Sequence, residues 1–256
     1  MKRLFLSISK GEELRFLGHL DMLRTMERAV IRSGIPIAFS EGFNPHMKIA
    51  FDAALGVGVT ADPLYLEMKL EKDFLPEKVS ALLTPQLPQG IMLHEIKEVG
   101  LDRGKLVTFL NEDVYEMEGP VDGGKDILQT EKNIAEFNAL DSFIYERVTP
   151  KRVRQMDVKP MIIQPMRVKI QGNRAYLKFS LARSQSGSVQ PKDIWKILAE
   201  FFNMPWIPDA FICSRTGTYY YNGIRRITPF SEGIFFLGFS LIKDQWRINE
   251  SSYPIC

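Results

Sequence analysis

The chain has 256 residues, 45% of them apolar, with a formal net charge of +2 and an isoelectric point near 8.4. That length suits one large domain or two ordinary ones, and so small a net charge gives no argument for nucleic acid, leaving the local distribution of charge to supply one. The two cysteines, Cys213 and Cys256, build neither a disulfide framework nor a zinc site and fit a reducing cytoplasm, and no run reaches the roughly 18 apolar residues of a membrane span.

Residues 2–9 alternate and predict a first strand rather than a signal peptide, because Lys10, Glu12 and Glu13 follow at once with no small-residue cleavage site; residues 12–17 are expected to extend it. Over 19–33, Leu20, Leu23, Glu27, Val30 and Ile31 recur at three–four spacing, and Gly34 stands where a helix usually closes. A strand at 35–39, a turn-rich loop at 40–46, a strand at 48–51, an alternating strand at 64–70, a helix at 76–83 and a strand at 91–99 follow, in the order β-α-β-β-α-β. After a polar linker at 100–105 the same order of elements recurs without any repeat of sequence. It runs through a strand at 106–117, a turn at 119–124, a helix at 127–140 and a strand at 143–148. A hairpin of 166–170 and 175–181 across Gly172-Asn173, a helix at 190–202 and a strand at 211–221 complete it. The expectation is an α+β fold of two tandem ferredoxin-like halves with antiparallel sheets, at residues 1–100 and 105–229. A tail of uncertain structure occupies 230–256.

Three clusters of residues have chemical potential. Arg24, Arg28 and Arg32 recur every four residues along one helix face, with His19 at the helix start and the turn Gly42-Phe43-Asn44-Pro45-His46, then Lys48, after it. Pro45 holds Asn44 extended, so Asn44 and His46 point in fixed directions, and guanidiniums beside such a turn suit phosphate or carboxylate groups. The competing reading is a solvated arginine face. Imidazole is the side chain suited to proton transfer near neutral pH, so His19 is a candidate general base, although a histidine at a helix start is more often a cap or packing residue. The stretch 147–178 is rich in lysine and arginine, including Arg152, Arg154 and Lys159, with Asp157 as its only acid; it would attract a polyanion such as RNA, or serve as a basic connector. Arg215, in Ser214-Arg215-Thr216-Gly217, suggests an anion-binding turn followed by three tyrosines that could stack on bases.

Other motifs are missing. There is no Walker loop or dinucleotide fingerprint, no nucleophile elbow, no metal-ligand spacing among the three histidines and no three-cysteine cluster for an iron–sulfur centre.

The runs Arg15-Phe16-Leu17-Gly18-His19-Leu20-Asp21-Met22-Leu23-Arg24 and Phe39-Ser40-Glu41-Gly42-Phe43-Asn44-Pro45-His46-Met47-Lys48-Ile49 resemble an uncharacterised bacterial family encoded beside, or fused to, radical SAM proteins. The resemblance continues through Asp157-Val158-Lys159-Pro160, Ser188-Val189-Gln190-Pro191 and Arg215-Thr216-Gly217. It implies a radical SAM partner that would hold the cluster and cofactor, with no cofactor in this chain, and its gene neighbourhood leans towards RNA. At fold level the chain is also similar to CRISPR repeat-cleaving endoribonucleases, which place a histidine near the first helix, as His19 is placed here.

The favoured expectation is a cytoplasmic, non-catalytic accessory protein for a radical SAM enzyme, binding RNA or another phosphate-rich substrate through Arg24, Arg28, Asn44, His46, Lys48, Arg152, Arg154, Lys159 and Arg215. The alternatives are a metal-independent endoribonuclease in which His19 moves a proton, and a protein-interaction module without nucleic acid.

Overall fold

The computed structural model describes residues 1–101, 104–149, 152–183 and 189–231. The first strand, β1 (Lys2–Lys10), is buried on both faces. Its Leu4, Leu6 and Ile8 pack beneath two helices, α1 (His19–Ser33) and α2 (Pro76–Leu83), while Phe5 turns to the opposite face. β2 (Ile49–Phe51) and β3 (Val59–Leu70) follow α1, and β4 (Leu93–Val99) follows α2. Residues 12–17 do not extend β1: Glu12–Leu14 form a 3-10 turn that carries the chain off the sheet towards α1.

The helix expected at 19–33 forms, with Gly34 at φ 68° closing it in a conformation that glycine adopts without strain. Its buried stripe is Met22, Met26, Ala29 and Val30, whereas Leu20 and Ile31, expected in the core, are each 63% exposed. The strand expected at 35–39 is reduced to isolated bridges, Ile37 with Leu70 and Phe39 with Met47. Pro36 explains this, since it has no N–H to give to a ladder.

The later part departs more from expectation. Residues 106–117 are not one strand: α3 (Leu106–Phe109) lies across the sheet, and β5 (Glu112–Pro120) begins after it. The turn expected at 119–124 starts late, because Gly119 is still in β5. α4 (Thr130–Ala139) is preceded by a 3-10 turn whose Asp126 carboxylate accepts the Leu128 N–H. β6 (Ile144–Thr149), expected in the main sheet, instead pairs with β7 (Arg152–Asp157), which the sequence reading missed, in a two-stranded sheet of its own. β8 (Arg167–Gln171) and β9 (Arg174–Ala182) form the expected hairpin across Gly172-Asn173. α5 (Pro191–Phe201), β10 (Ile212–Tyr221) and the short β11 (Arg226–Ile227) end the described chain apart from the residues to Ser231. The tail expected from 230 lies outside the described residues from 232 onwards, as do residues 102–103 of the expected linker.

The result is a mixed α/β protein with one large, mostly antiparallel sheet and several helices. Two separate antiparallel sheets were expected. Instead the strands run β4-β1-β3-β10-β5-β9-β8 without a break, with β2 also on β3 and β11 on β10. The cause lies in strand lengths. β3 has twelve residues but β2 only three, pairing with Leu66–Met68, so the first part of that edge of β3 would be left with unpaired backbone groups. β10 fills the gap, running parallel to β3 with Cys213, Ser214 and Arg215 opposite Val59, Thr60 and Ala61.

Helices α1 and α2 cover one end of the sheet and α4 and α5 the other, on the same face, and Val59 touches both apolar cores. Trp195 and Trp206 stack at 4.4 Å in the second core. The opposite face is covered by α3 and Phe230 over Phe5, Tyr65 and Val99. Among the described residues no helix covers it over β5, β9 and β8.

Candidate functional site

The structure disperses the residues that the sequence brought together. His19 is the first residue of α1, half-buried, with its ring edge-on to Phe51 at 5.8 Å, and no acid or base bonds to it among the described residues. Arg24 is exposed and pairs with Asp21 at 3.6 Å, Arg28 is exposed, and Arg32 donates to the Gln86 carbonyl at 2.6 Å. The 40–46 loop is pinned at its base, where the His46 N–H donates to Ser40 Oγ and the Ser40 N–H to the His46 carbonyl; Asn44 and His46 are exposed. Lys48 does not join them. Ile49 and Phe51 of β2 face α1, so Lys48 and Ala50 face the other way, in a hollow of about 300 Å³ shared with Glu67, Lys69 and Lys105. The expected single basic site is therefore split between two faces of the sheet.

Most of the basic stretch is also committed elsewhere. Lys159 Nζ donates to the carbonyls of Phe137 and Asn138 at 3.0 and 3.1 Å, capping the C-terminal end of α4, and lies 4.8 Å from the Phe137 ring centre. Burial lowers its pKa from the usual lysine value. Asp157 accepts N–H groups of Phe143 and Lys159 and the Ser142 hydroxyl. Burial opposes its charge, but these hydrogen bonds outweigh that and hold the carboxyl below the ordinary range. Arg154 is half-buried in β7 opposite Arg147, which is bound to Asp193. The side chain of Arg152 lies outside the described residues.

Arg215 is no anion-binding turn. It sits inside β10, 1% exposed, at the centre of a charge cluster that sequence reading missed. Asp52, just after β2, is fully buried; Arg183 Nη2 donates to its Oδ2 at 2.6 Å and Arg215 Nη2 to its Oδ1 at 3.4 Å. Arg183 also holds Asp113 by Nε at 2.8 Å and Nη2 at 2.7 Å, and the Thr218 hydroxyl donates to Asp113 at 2.7 Å. Burial disfavours the charges of Asp113, Arg183 and Arg215, yet their partners prevail: Asp113 is held below the usual carboxylate range and Arg183 and Arg215 above their usual value. Two carboxylates and two guanidiniums thus neutralise one another where β2, β5, β9 and β10 meet. Such mutual neutralisation fits cohesion between strands rather than ligand capture.

What the structure does assemble is the bare face of the sheet. Val168 and Ile170 of β8 turn towards α4 and α5, so Arg167, Lys169 and Gln171 turn away. On β9 Arg174, Tyr176 and Lys178 stand on the same outer face, with Lys169 paired to Tyr176 and Arg167 to Lys178. Glu118 and Glu116 of β5 bind Arg174 at 2.9 Å and Lys178 at 2.6 Å. Arg167 and Lys169 have no acidic partner among the described residues. Arg167, Lys169, Tyr176 and Lys178 line an open hollow of about 760 Å³ together with Glu12, Glu116 and Glu118, and Arg174 stands beside it on β9. The clue in the sequence was present, since 167, 169 and 171 alternate with apolar residues, but the stretch was read as one basic run rather than by faces. Among the described residues no group of acids, histidines and cysteines could hold a metal ion, and no helix is long and apolar enough to cross a membrane.

Among solved structures the chain is similar to one chain of a Cbf5–Nop10–Gar1 complex, at 9% identity over 85% of this chain and 48% of that one, with a TM-score of 0.44. It thus spans about half of that chain. A second, an unknown protein from Galdieria sulphuraria, aligns at 11% identity over 71% and 82% of the two chains, with a TM-score of 0.25. No curated protein matches. The model of a bacterial family, described as an uncharacterized protein conserved in bacteria (DUF2344), matches residues 3–191, and the chain belongs to that family.

Proposed function

We propose that this protein is a non-catalytic RNA-binding component that works beside a radical SAM enzyme, and that RNA lies on the bare face of the sheet. The observation that carries the RNA reading is the row Arg167, Lys169, Arg174 and Lys178 around Tyr176 on one outer face, with two of the four cations unpaired by any described acid. Cations that track a phosphate backbone beside a ring that stacks on bases are the two parts of a sequence-tolerant single-strand site. The repeated element order supports reading residues 1–100 and 105–229 as two ferredoxin-like units joined edge to edge. The radical SAM partner is supported by the sequence resemblance of the 15–49 region.

Electrophoretic shift with bulk cellular RNA tests the reading. The parent protein is expected to shift RNA at low salt and to release it as salt rises, and Tyr176→Ala is expected to weaken the complex by about 1–3 kcal/mol, the usual worth of one stacked base. Arg24→Ala with Arg28→Ala, on the other face, is expected to leave binding nearly intact. Folded protein that shifts no RNA at low salt rules the reading out. Co-purification of a tagged chain with the radical SAM protein, or its failure, decides the partner separately.

A further inference from the structure

On the helix-covered face a second cavity of about 670 Å³ opens between Arg15 and Phe16, the 54–58 loop and the start of α5. Its volume lies within the roughly 300–1,000 Å³ of small-molecule sites. The inner wall is apolar, built from Leu55, Val59, Leu181, Val189 and Phe211. Two uncharged polar groups stand in that wall. Tyr115, stacked on Phe179 at 5.7 Å, has a hydroxyl with no hydrogen-bond partner among the described residues. Cys213 is 1% exposed, and burial pushes its thiol up to about 12, so it stays neutral. Arg183 and Asp113 also reach the wall, but each is already spent on the other.

The rim differs. Lys192 is exposed and has no acidic partner among the described residues. Arg15 is shared with Glu12 at 2.7 Å and lies 4.7 Å from the ring centre of Phe16. Phe16 is 68% exposed, with the Arg15 guanidinium over its ring. Uncharged donors inside, with an exposed ring and cations outside, suit a ligand with a flat, neutral, hydrogen-bonding body and an anionic end.

We infer that this cavity binds a nucleoside phosphate, with the base against Tyr115 and the phosphate at the rim beside Lys192 and Arg15. The ligand is either a free nucleotide or the phosphorylated end of a nucleic-acid strand. The cavity opens on the helix-covered side of the sheet and the hollow beside Arg167 and Lys169 on the other, and the two approach one another where Arg15 of the rim binds Glu12 of the hollow.

Calorimetric titration of the full chain with adenosine 5′-phosphate, uridine 5′-phosphate, adenosine, inorganic phosphate and a 5′-phosphorylated trinucleotide tests it. At least one nucleotide is expected to bind saturably, and more tightly than adenosine or phosphate alone. Preference for the mononucleotide or for the trinucleotide assigns the source. Lys192→Glu is expected to weaken nucleotide binding about tenfold while leaving adenosine unchanged, and Tyr115→Phe to weaken both about fivefold, the worth of one hydrogen bond. Arg167→Ala with Lys169→Ala is expected to leave this binding untouched, so RNA binding on the sheet face and nucleotide binding in the cavity fail independently. No saturable binding up to about 5 mM, where even a millimolar site would register, overturns the inference, as does nucleotide binding that neither Lys192→Glu nor Tyr115→Phe alters.

Discussion

Asp52, bound by Arg183 and Arg215, is the residue through which the ends of the sheet are tied. Asp52 belongs to the N-terminal strands and the other three members of the cluster to the C-terminal ones, so the cluster spans sequence separations of up to 163 residues. Removing one member leaves the rest as uncompensated buried charge. Arg215→Met is expected to lower the unfolding free energy by about 3–5 kcal/mol in urea denaturation, whereas the exposed Arg28→Ala should stay within about 0.5 kcal/mol. Near-equal effects would mean the cluster contributes no cohesion. A pH dependence follows from Asp113. Its folded pKa lies below its unfolded value of about 3.9, so between the two the unfolded chain holds the proton and the folded one does not. The stability it contributes is complete above the unfolded pKa and is lost as pH falls through the folded one. Asp113→Asn should therefore flatten the fall of Tm below about pH 4, read by circular dichroism. A slope as steep as the parent's would place the acid sensitivity elsewhere.

At the scale of single elements, packing overrode several sequence cues. Gly119 has the look of a turn residue, yet it lies in β5, where an added Cβ would fall 2.3 Å from the Ala210 carbonyl and 2.6 Å from the Trp195 ring. Gly119→Ala is expected to cost about 1–3 kcal/mol by overpacking, measured by chemical denaturation; a neutral result would mean Trp195 shifts freely. Lys159→Ala should likewise lower stability by about 1 kcal/mol through loss of the α4 cap, with RNA affinity unchanged. Weakened RNA binding would return Lys159 to the role its position in a basic run suggested. The elements with clean periodicity, β1, β3, α5 and the β8–β9 hairpin, were legible because side-chain pattern specifies them, whereas α1 was legible in its bounds but not in its buried stripe. α3 and β7 were not legible. Four residues of helix carry no period, and Arg152-Val153-Arg154 reads as charge before it reads as strand.

At the scale of the whole molecule, a single sheet replaces two because β2 is too short to cover β3, a quantity that no local pattern reports. The candidate site was half legible for a related reason. Its charge was visible in the 147–178 run, but which cations share a face depends on strand boundaries, and which are spent depends on partners remote in sequence, as Lys159 and Arg215 show. What remains after both tests is Arg167 and Lys169 beside Tyr176. The most direct measurement is the salt dependence of RNA affinity for the parent and for Arg167→Ala with Lys169→Ala. If both cations contact phosphates, the slope of log K against log salt becomes shallower by about 1.4, close to 0.7 for each phosphate on a single strand, and affinity at low salt falls with it. An unchanged slope and affinity in a folded double variant would contradict RNA binding on this face.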